Sequence, residues 1–498
     1  MDNFSLLAIA PEVLLTIGAI AVLGVEVIWA KGHRTWAPIA AVSVLGAIVA
    51  SVAQWNHVQE VGGSLHYSLA NPSGQIITPM LSMDAFSAFG GIAIFAVTGL
   101  ALAAAWELVA RLQTRGAELV SLILLAAIGL HLMASSANLV MLFLGLEVAS
   151  ISLYVVAGFT RHRVTADESA MKYFLLGSFA SAILLYGIAL VFAATGSTSI
   201  YGATGVAATL DTVLLRSDGV LLAGIALLIV GLGFKISAAP FHQWAPDVYQ
   251  GAPTGVVGFM AAGVKIAGFA AMARVLSVAL GTQADDWAPA IAVLAVASVL
   301  IGSVMAIAQS DIKRMLAYSG VAHAGFMLTA IVAGVEGIPS LWFYLATYAI
   351  QLIGAFAVVG VVGGSAAGGS AIDDYAGLGE RAPKLAVAFT IFMLAMGGIP
   401  LTSGFIGKAG VFSAAISADY LWLAIVALVG AVVGLYFYLR IIVVMYMRPP
   451  AEAPGTAIAA PAATQMSRLV IWVAAVATIA LGIAPWPLLH VVRDALPL

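Results

Sequence analysis

Apolar runs of close to twenty residues, separated by short polar stretches, follow one another along the whole chain. A helix that crosses a bilayer needs about 20 consecutive apolar residues. A window of that width finds fourteen runs, at 6–29, 37–55, 84–108, 117–134, 138–159, 169–194, 218–239, 254–280, 287–308, 314–334, 340–363, 384–416, 421–446 and 468–489. The pattern predicts an all-α polytopic membrane protein with about 14 transmembrane helices. The third, eighth and twelfth runs are long for one crossing, so they are expected to be tilted or broken.

Two runs carry a proline inside apolar sequence. The seventh ends GFKISAAPFHQWAP, with Pro240 five residues after Lys235, and the twelfth reads MGGIPLTSGFIGK, with Pro400 eight residues before Lys408. Proline removes a backbone donor and clashes with the preceding turn, so both helices should unwind there. Carbonyls freed at membrane depth are tolerated only against protein or a wet cavity. The breaks are five helices apart, and an odd offset flips the second copy across the membrane. Paired broken helices of this kind point to an inverted repeat. The division expected is an N-terminal group of three helices (1–116), a first five-helix repeat of helices 4–8 (117–280), a second of helices 9–13 (287–446) and a C-terminal helix (467–498). In that scheme Lys235 corresponds to Lys408, and the helix of Glu147 to the helix of His323. Gly363-Gly364 and Gly368-Gly369 lack the Gly-Lys-Ser/Thr ending of a phosphate loop and read as a linker.

Composition agrees with a bilayer protein. Of 498 residues, 62% are hydrophobic and 9% charged, against roughly 25% charged in a soluble domain. The net charge of −3 provides no basic field for nucleic acid. The chain has no cysteine, which rules out disulfides and Cys-held iron–sulfur clusters within it. The N-terminal segment MDNFSLLAIAPE is acidic, and the first run is too long for a signal-peptide core, so it reads as a retained helix.

Basic residues orient the spans. Lys31, Arg34, Arg111, Arg115, Arg161, Arg163, Lys313, Arg314, Arg381, Lys384, Arg448 and Arg468 fall on one side, and only Arg216 and Arg493 on the other. Both termini are therefore expected outside. The inside loop PFHQWAPDVYQGAPT has no Lys or Arg, so something other than topology chose its residues. Arg274 and Arg440 lie near helix ends, where long side chains snorkel to the interface. Glu12 and Glu26 lie near the ends of the first helix and are expected to face headgroups. Asp84 is expected to cap the third helix.

Four ionisable groups remain inside apolar runs: Glu147, Lys235, Lys265 and Lys408. A charge at the bilayer centre costs at least about 2.5–3.5 kcal/mol on insertion scales, so such residues read by default as an ion or proton route. Burial disfavours a charged amine and a nearby carboxylate favours it, so a lysine whose carboxylate approaches and withdraws is a switchable proton site. Glu147 and Lys235 are two helices apart and can face each other; a static ion pair that fixes packing is the structural alternative. His323 is placed to bridge the two halves, since imidazole titrates near neutrality, or packs as a hydrogen-bonded core residue. His242 either lines the inside entrance or caps the broken helix. Lys172 sits four residues after Glu168, the favourable order for an i,i+4 pair. The sequence shows no metal-ligand spacing, nucleophile elbow or carboxylate dyad.

The stretches NLVMLFLGLEVASISLYV, ESAMKYFLLGSFASAILLYG, GFKISAAPFHQWAPDVYQGAPT, QSDIKRMLAYSGVAHAGFML and GIPLTSGFIGKAGVF, spanning 138–412, resemble the antiporter-like proton-channel subunits of respiratory complex I. The resemblance is greatest to the smallest of the three, the N-type subunit of the bacterial NADH–quinone oxidoreductase. It implies that Glu147 pairs with Lys235, that Lys265 is the central relay, that Lys408 leads to the outside half-channel, and that Lys172 is the extra lysine of the sixth helix in this subunit. Lysine at 408 argues against the middle subunit, which usually carries glutamate there. The resemblance further implies one subunit of a proton-translocating NADH:quinone oxidoreductase in a bacterial inner (plasma) membrane, beside other membrane-arm subunits including neighbouring antiporter-like ones. No cofactor is expected in this chain; NADH, FMN, iron–sulfur clusters and quinone are expected in partner subunits, where quinone reduction drives pumping. Two other readings stay open at this point: a subunit of a multi-component cation/proton antiporter or membrane-bound hydrogenase, and a scaffold whose buried charges only hold helices together.

Overall fold

A computed structural model describes residues 6–29, 33–70, 76–112, 115–160, 164–212, 219–364, 370–449, 461 and 463–497. Lys31, Arg161, Arg163, Arg216 and the Gly368-Gly369 part of the expected linker lie outside them. Helices form at each of the fourteen apolar runs. The N-terminal part contains α1 (Ala10–Trp29), α2 (His33–Val61), a two-stranded hairpin of β1 (Leu65–Ala70) and β2 (Ile76–Met83), α3 (Ala85–Ala104) and α4 (Trp106–Arg111). Next come α5 (Arg115–Ala134), α6 (Leu139–Ala157), α7 (Val164–Thr195), α8 (Val206–Thr212), α9 (Gly219–Lys235), α10 (Trp244–Gly251) and α11 (Thr254–Ala273), which continues as a π-turn over Arg274–Ala279. The remainder is α12 (Ala284–Ile307), α13 (Ile312–Ile331), α14 (Ile338–Gly363), α15 (Leu378–Arg381), α16 (Pro383–Gly397), α17 (Ser403–Ser417), α18 (Leu421–Met447), α19 (Gln465–Ile483) and α20 (Trp486–Asp494).

Eleven of these helices are long and apolar enough to cross a membrane. The exceptions have physical causes. Helices α9 and α16 are cut short by the two breaks. Helix α13 carries Lys313, Arg314 and His323 and is buried in protein over nearly its whole length, so it does not need an apolar surface. The long third run is split between α3 and α4, and the twelfth between α16 and α17. At the centre lies α11, whose apolar window is wholly buried.

Side chains fix several helix starts. Asp84 caps α3 in a capping box with Ser87, as expected. Asn138 caps α6, and Asp311 caps α13 by accepting from the amides of Lys313 and Arg314. The caps at Asn138 and Asp311 share a further feature. Leu139 N donates to Thr198 O (2.8 Å) and Ile200 N to Ala137 O (2.9 Å); Ile312 N donates to Ser370 O (2.7 Å) and Ile372 N to Ser310 O (2.8 Å). In both cases the start of one helix is stitched to the loop after the next helix.

The two breaks also share a geometry. Helix α9 ends with Ser237 in the left-handed region (φ 61), Ser237 N bonding Phe234 O and Ala238 N bonding Gly233 O. Helix α16 ends with Gly398 at φ 85, Gly398 N bonding Ala395 O and Ile399 N bonding Leu394 O. This is the Schellman stop in each case. In its register Ser237 matches Gly398, so Lys235 falls level with Met396. The residue-for-residue match of Lys235 with Lys408 is therefore corrected: Lys235 ends the half-helix before its break, and Lys408 lies on the half-helix after it.

Other expectations also change. Arg274 does not snorkel. It is fully buried, with Nη1 and Nη2 on Asp84 Oδ2 and Oδ1 (2.7 and 3.1 Å), Nε on Ala134 O (3.1 Å) and a further bond to Tyr201. Arg440 caps the end of α12, its Nη1 donating to Ile307 O and Gln309 O (3.0 and 3.1 Å), the favourable place for a cation. Glu12 and Glu26 are buried instead of facing headgroups: Glu12 meets His131, and Glu26 accepts from Trp36 Nε1 (3.1 Å). The hairpin β1–β2 is a small addition to the helical fold, formed between the second and third apolar windows.

Candidate proton pathway

Glu147 lies on α6, partly buried, with Oε1 lacking a hydrogen-bond partner among the described residues. One turn on, Ser150 donates to Leu146 O (2.6 Å) and accepts from Lys235 Nζ at 2.8 Å. The expected direct pairing of Glu147 with Lys235 is thus replaced by a hydroxyl contact: Lys235 touches Ser150, and no ion pair joins it to Glu147 within 4 Å among the described residues. Lys235 is the last residue of α9 and is buried.

Lys265 projects from α11 to the first break and donates to Ile236 O at 2.7 Å. Ile236 precedes the left-handed Ser237, and its carbonyl is one that the unwound helix no longer pairs. Lys408 does the same at the second break, donating to Met396 O and Gly397 O, both at 3.0 Å. A Cβ on Gly398 would stand 2.9 Å from the Lys408 side chain, so glycine there permits both the left-handed turn and the approach of the lysine. Each buried amine therefore sits on the carbonyl end of a broken half-helix.

His323 lies between the two lysines. Tyr344 Oη is 2.9 Å from its Nδ1, Tyr438 Oη is 3.0 Å from its Nε2, and Tyr348 stacks on the ring at 4.3 Å. Tyr438 also bonds Ser319. Towards Lys265, a Cβ placed on Gly320 would be 3.5 Å from Lys265 Cε and 3.4 Å from Tyr348 Oη, so both groups reach the same point of α13. Towards Lys408, Phe326 packs on His323 and carries the lysine amine over its face at 4.8 Å. Gln351 donates to Ser403 Oγ (3.0 Å) at the start of α17. Tyr348 Oη and Gln351 Oε1 are buried without a partner among the described residues; such atoms are the usual ligands of buried water.

Of the seven expected site residues, Lys235, Lys265, His323 and Lys408 line this interior row, and Glu147 stands one helical turn before Ser150. Lys172 does not join it. Its amine bonds Glu168 Oε1 (2.6 Å) as expected, and also Asp247 Oδ2 (2.7 Å), whose Oδ1 holds Arg314 Nη1 at 2.5 Å. Burial pushes the Asp247 carboxyl up, but hydrogen bonds and charge from Lys172 and Arg314 outweigh it and hold the group below the ordinary carboxylate value. Lys313 donates to Gln250 O and Ala252 O, both at 2.8 Å, at the end of α10. Trp244 stacks on Tyr173 and donates to Phe234 O. The loop without basic residues is thus the short helix α10, clamped by cations from α7 and α13. His242 lies between this clamp and the interior, its ring 6.0 Å from that of Tyr318, with Nδ1 lacking a partner among the described residues.

Sequence reasoning missed Ser150, Tyr344, Tyr348, Gln351, Tyr438 and Ser319. A signal existed for three of them: Tyr344, Tyr348 and Gln351 recur at i, i+4 and i+7, a polar stripe on an otherwise apolar helix.

Residues 136–434 match the profile of the NADH:quinone oxidoreductase/Mrp antiporter transmembrane family. The chain is 39% identical to NADH-quinone oxidoreductase subunit N of Trichlorobacter lovleyi, over 100% of this chain and 98% of that one. Its structure is similar to a chain of respiratory complex I from Thermus thermophilus, with TM-score 0.77 and 31% identity over 96% of this chain and 98% of that chain. It is also similar to a chain of an archaeal membrane-bound sulfane sulfur reductase, with TM-score 0.82 and 26% identity over 99% and 97%.

Proposed function

Because the chain belongs to the NADH:quinone oxidoreductase/Mrp antiporter family, as a proton-translocating membrane subunit of an NADH–quinone oxidoreductase, we propose that its protons pass along Lys235, Lys265, His323 and Lys408. In this reading Glu147 acts on Lys235 through Ser150, and His242 stands at the inside entrance. The observation that carries it is the placement of Lys265 and Lys408, each on the freed carbonyls of a helix break, with His323 and its tyrosines between them. A protonated amine is favoured there by the negative end of the half-helix and disfavoured by burial. The charge on each lysine is therefore open to change by its neighbours.

The matched stops of α9 and α16 and the matched stitches at Asn138 and Asp311 support two inverted five-helix repeats over 117–280 and 287–446. The protein is a multi-pass bacterial inner-membrane protein, and the distribution of basic residues supports both termini outside. NADH, FMN, iron–sulfur clusters and quinone belong in this reading to partner subunits, whose electron transfer drives the charge movements. A test is Lys265→Ala in the intact complex in proteoliposomes, with protons moved per NADH oxidised as the readout. The ratio should fall while the complex still assembles; an unchanged ratio would remove Lys265 from the route.

A further inference from the structure

A second buried polar cluster lies among the N-terminal helices, apart from the lysine row. Glu12 on α1 and His131 on α5 are 8% and 1% exposed, and Glu12 Oε1 is 2.7 Å from His131 Nδ1. The far atoms of both groups, Glu12 Oε2 and His131 Nε2, are buried and have no partner among the described residues. Gly91 on α3 faces the open side of the imidazole. A Cβ there would stand 2.9 Å from His131 Nε2 and 2.7 Å from Ser51 Oγ on α2, so both polar atoms flank a point that only glycine leaves free. Ser51 donates its own proton to Ala47 O, which leaves its lone pairs available as acceptors. Four helices thus bring a carboxylate, an imidazole and a hydroxyl to one buried place.

A buried carboxylate and imidazole with one free polar atom each have two places to keep one proton. The proton rests on the carboxyl or on the ring. We infer that Glu12 and His131, with the Ser51 hydroxyl beside the ring, form a second proton-binding site, which takes up and releases a proton during turnover. No competing charge is provided by α3, which has no ionisable residue. On α2, Gln54 is committed to the carbonyls of Leu7 and Ala8, and His57 and Glu60 lie further along the helix; on α5, Glu118 lies more than three turns from His131. One turn beyond His131, Ala134 O holds Arg274, whose charge is paired with Asp84.

The test uses the intact complex in proteoliposomes with Glu12→Gln, which keeps an oxygen for His131 but cannot ionise. Two readouts are taken: protons moved per NADH oxidised, and the infrared difference between resting and turning-over enzyme in the carboxyl region. Glu12→Gln should lower the ratio and remove one carboxyl band, and Ser51→Ala should shift that band by changing the polarity beside the ring. An unchanged spectrum, or a lost band with an unchanged ratio, overturns the inference and leaves a static helix contact. Should Glu12→Gln fail to assemble, Ser51→Ala removes only a hydroxyl and is judged on the same two readouts. Neither result depends on the lysine row, which the Lys265 variants test separately.

Discussion

Lys265 closes the end of a helix to which it does not belong. Its amine donates at 2.7 Å to the carbonyl of Ile236, the residue just before the left-handed turn that stops α9. The proposed route thus gives one side chain both a capping and a proton-carrying role, and two substitutions separate them. Lys265→Met leaves the Ile236 carbonyl buried and unsatisfied, at a cost of about 1–3 kcal/mol, and should lower both thermal stability of the subunit and pumping. Lys265→Arg keeps a cationic donor that does not release its proton; it should preserve stability and still abolish coupled transport. Thermal unfolding and proton-to-NADH ratios of the two variants check this. An arginine variant that pumps normally would show that the amine only caps.

Ser150 stands where the Glu147–Lys235 contact was expected, accepting from Lys235 at 2.8 Å. A hydrogen bond to a charged group is worth about 1.5–3 kcal/mol. Ser150→Ala should therefore slow coupled turnover without dissociating the subunit, and Glu147→Gln should slow it further. If Ser150→Ala matches the parent while Glu147→Gln is slow, the carboxylate reaches Lys235 by another route. Turnover rates of the two variants in the same membranes decide it.

The charged members of the row were legible because a charge in an apolar run stands out against its expected cost. Hydroxyls do not stand out. Ser150, like many serines in membrane helices, bonds its own turn, and nothing in the sequence separates it from Ser152, which does the same on the next face. Tyr438 belongs to the row only because α18 packs beside α13, a contact between residues more than a hundred positions apart. Arg274 was misread for the same reason: its distance from a helix end is local information, whereas its partner Asp84 is 190 residues away. The breaks were legible from proline, but the side of the break on which each lysine falls depends on where the Schellman turn forms.

Tyr438 joins His323 to Ser319 through its hydroxyl, so in the proposed route the hydroxyl and not the ring is the part that matters. Tyr438→Phe keeps the buried ring and its packing on Phe437. Removing one hydrogen-bond partner of His323 should cost about 0.5–1.5 kcal/mol of stability and lower coupled proton transport several-fold. His323→Gln should lower transport at least as much. Equal transport in Tyr438→Phe and the parent would leave Tyr344 as the partner that matters.

Asp247 supplies a pH dependence outside the spans. Its folded carboxyl is held below the ordinary value by Lys172 and Arg314, despite the opposing effect of burial. The stabilisation is therefore fully present above the unfolded carboxylate pKa and is lost as pH falls through the depressed folded one. The clamp on α10 should loosen only in that acid range, and Asp247→Asn should remove this part of the acid sensitivity while lowering stability at neutral pH. Proteolysis or hydrogen exchange of the α10 segment against pH, in parent and variant, measures it. Identical acid profiles would mean that other carboxylates set the response.

Asp84 and Arg274 fasten α3, the end of α11, the carbonyl of Ala134 and, through Ser82 Oγ on Asp84 Oδ2 (2.8 Å), the hairpin at one place. Tyr201 completes the cluster, and His66 of β1 stacks on it. A buried pair adds little compared with an apolar filling, yet removing one partner strands a charge at a cost of about 3–5 kcal/mol. Asp84→Asn also weakens the cap of α3, because the neutral amide keeps only one oxygen for Ser87 N and loses the charge facing Arg274. The variant should be poorly retained in the assembled complex, and Arg274→Lys should be milder, since the amine can still reach Asp84 but cannot bond it with two nitrogens. The double replacement Asp84→Asn with Arg274→Met should recover part of the loss, because no uncompensated charge remains. Thermal unfolding and the fraction assembled, measured across this set, test the relation; a double variant less stable than Asp84→Asn alone would show that the guanidinium holds Ala134 and Tyr201 independently of the carboxylate.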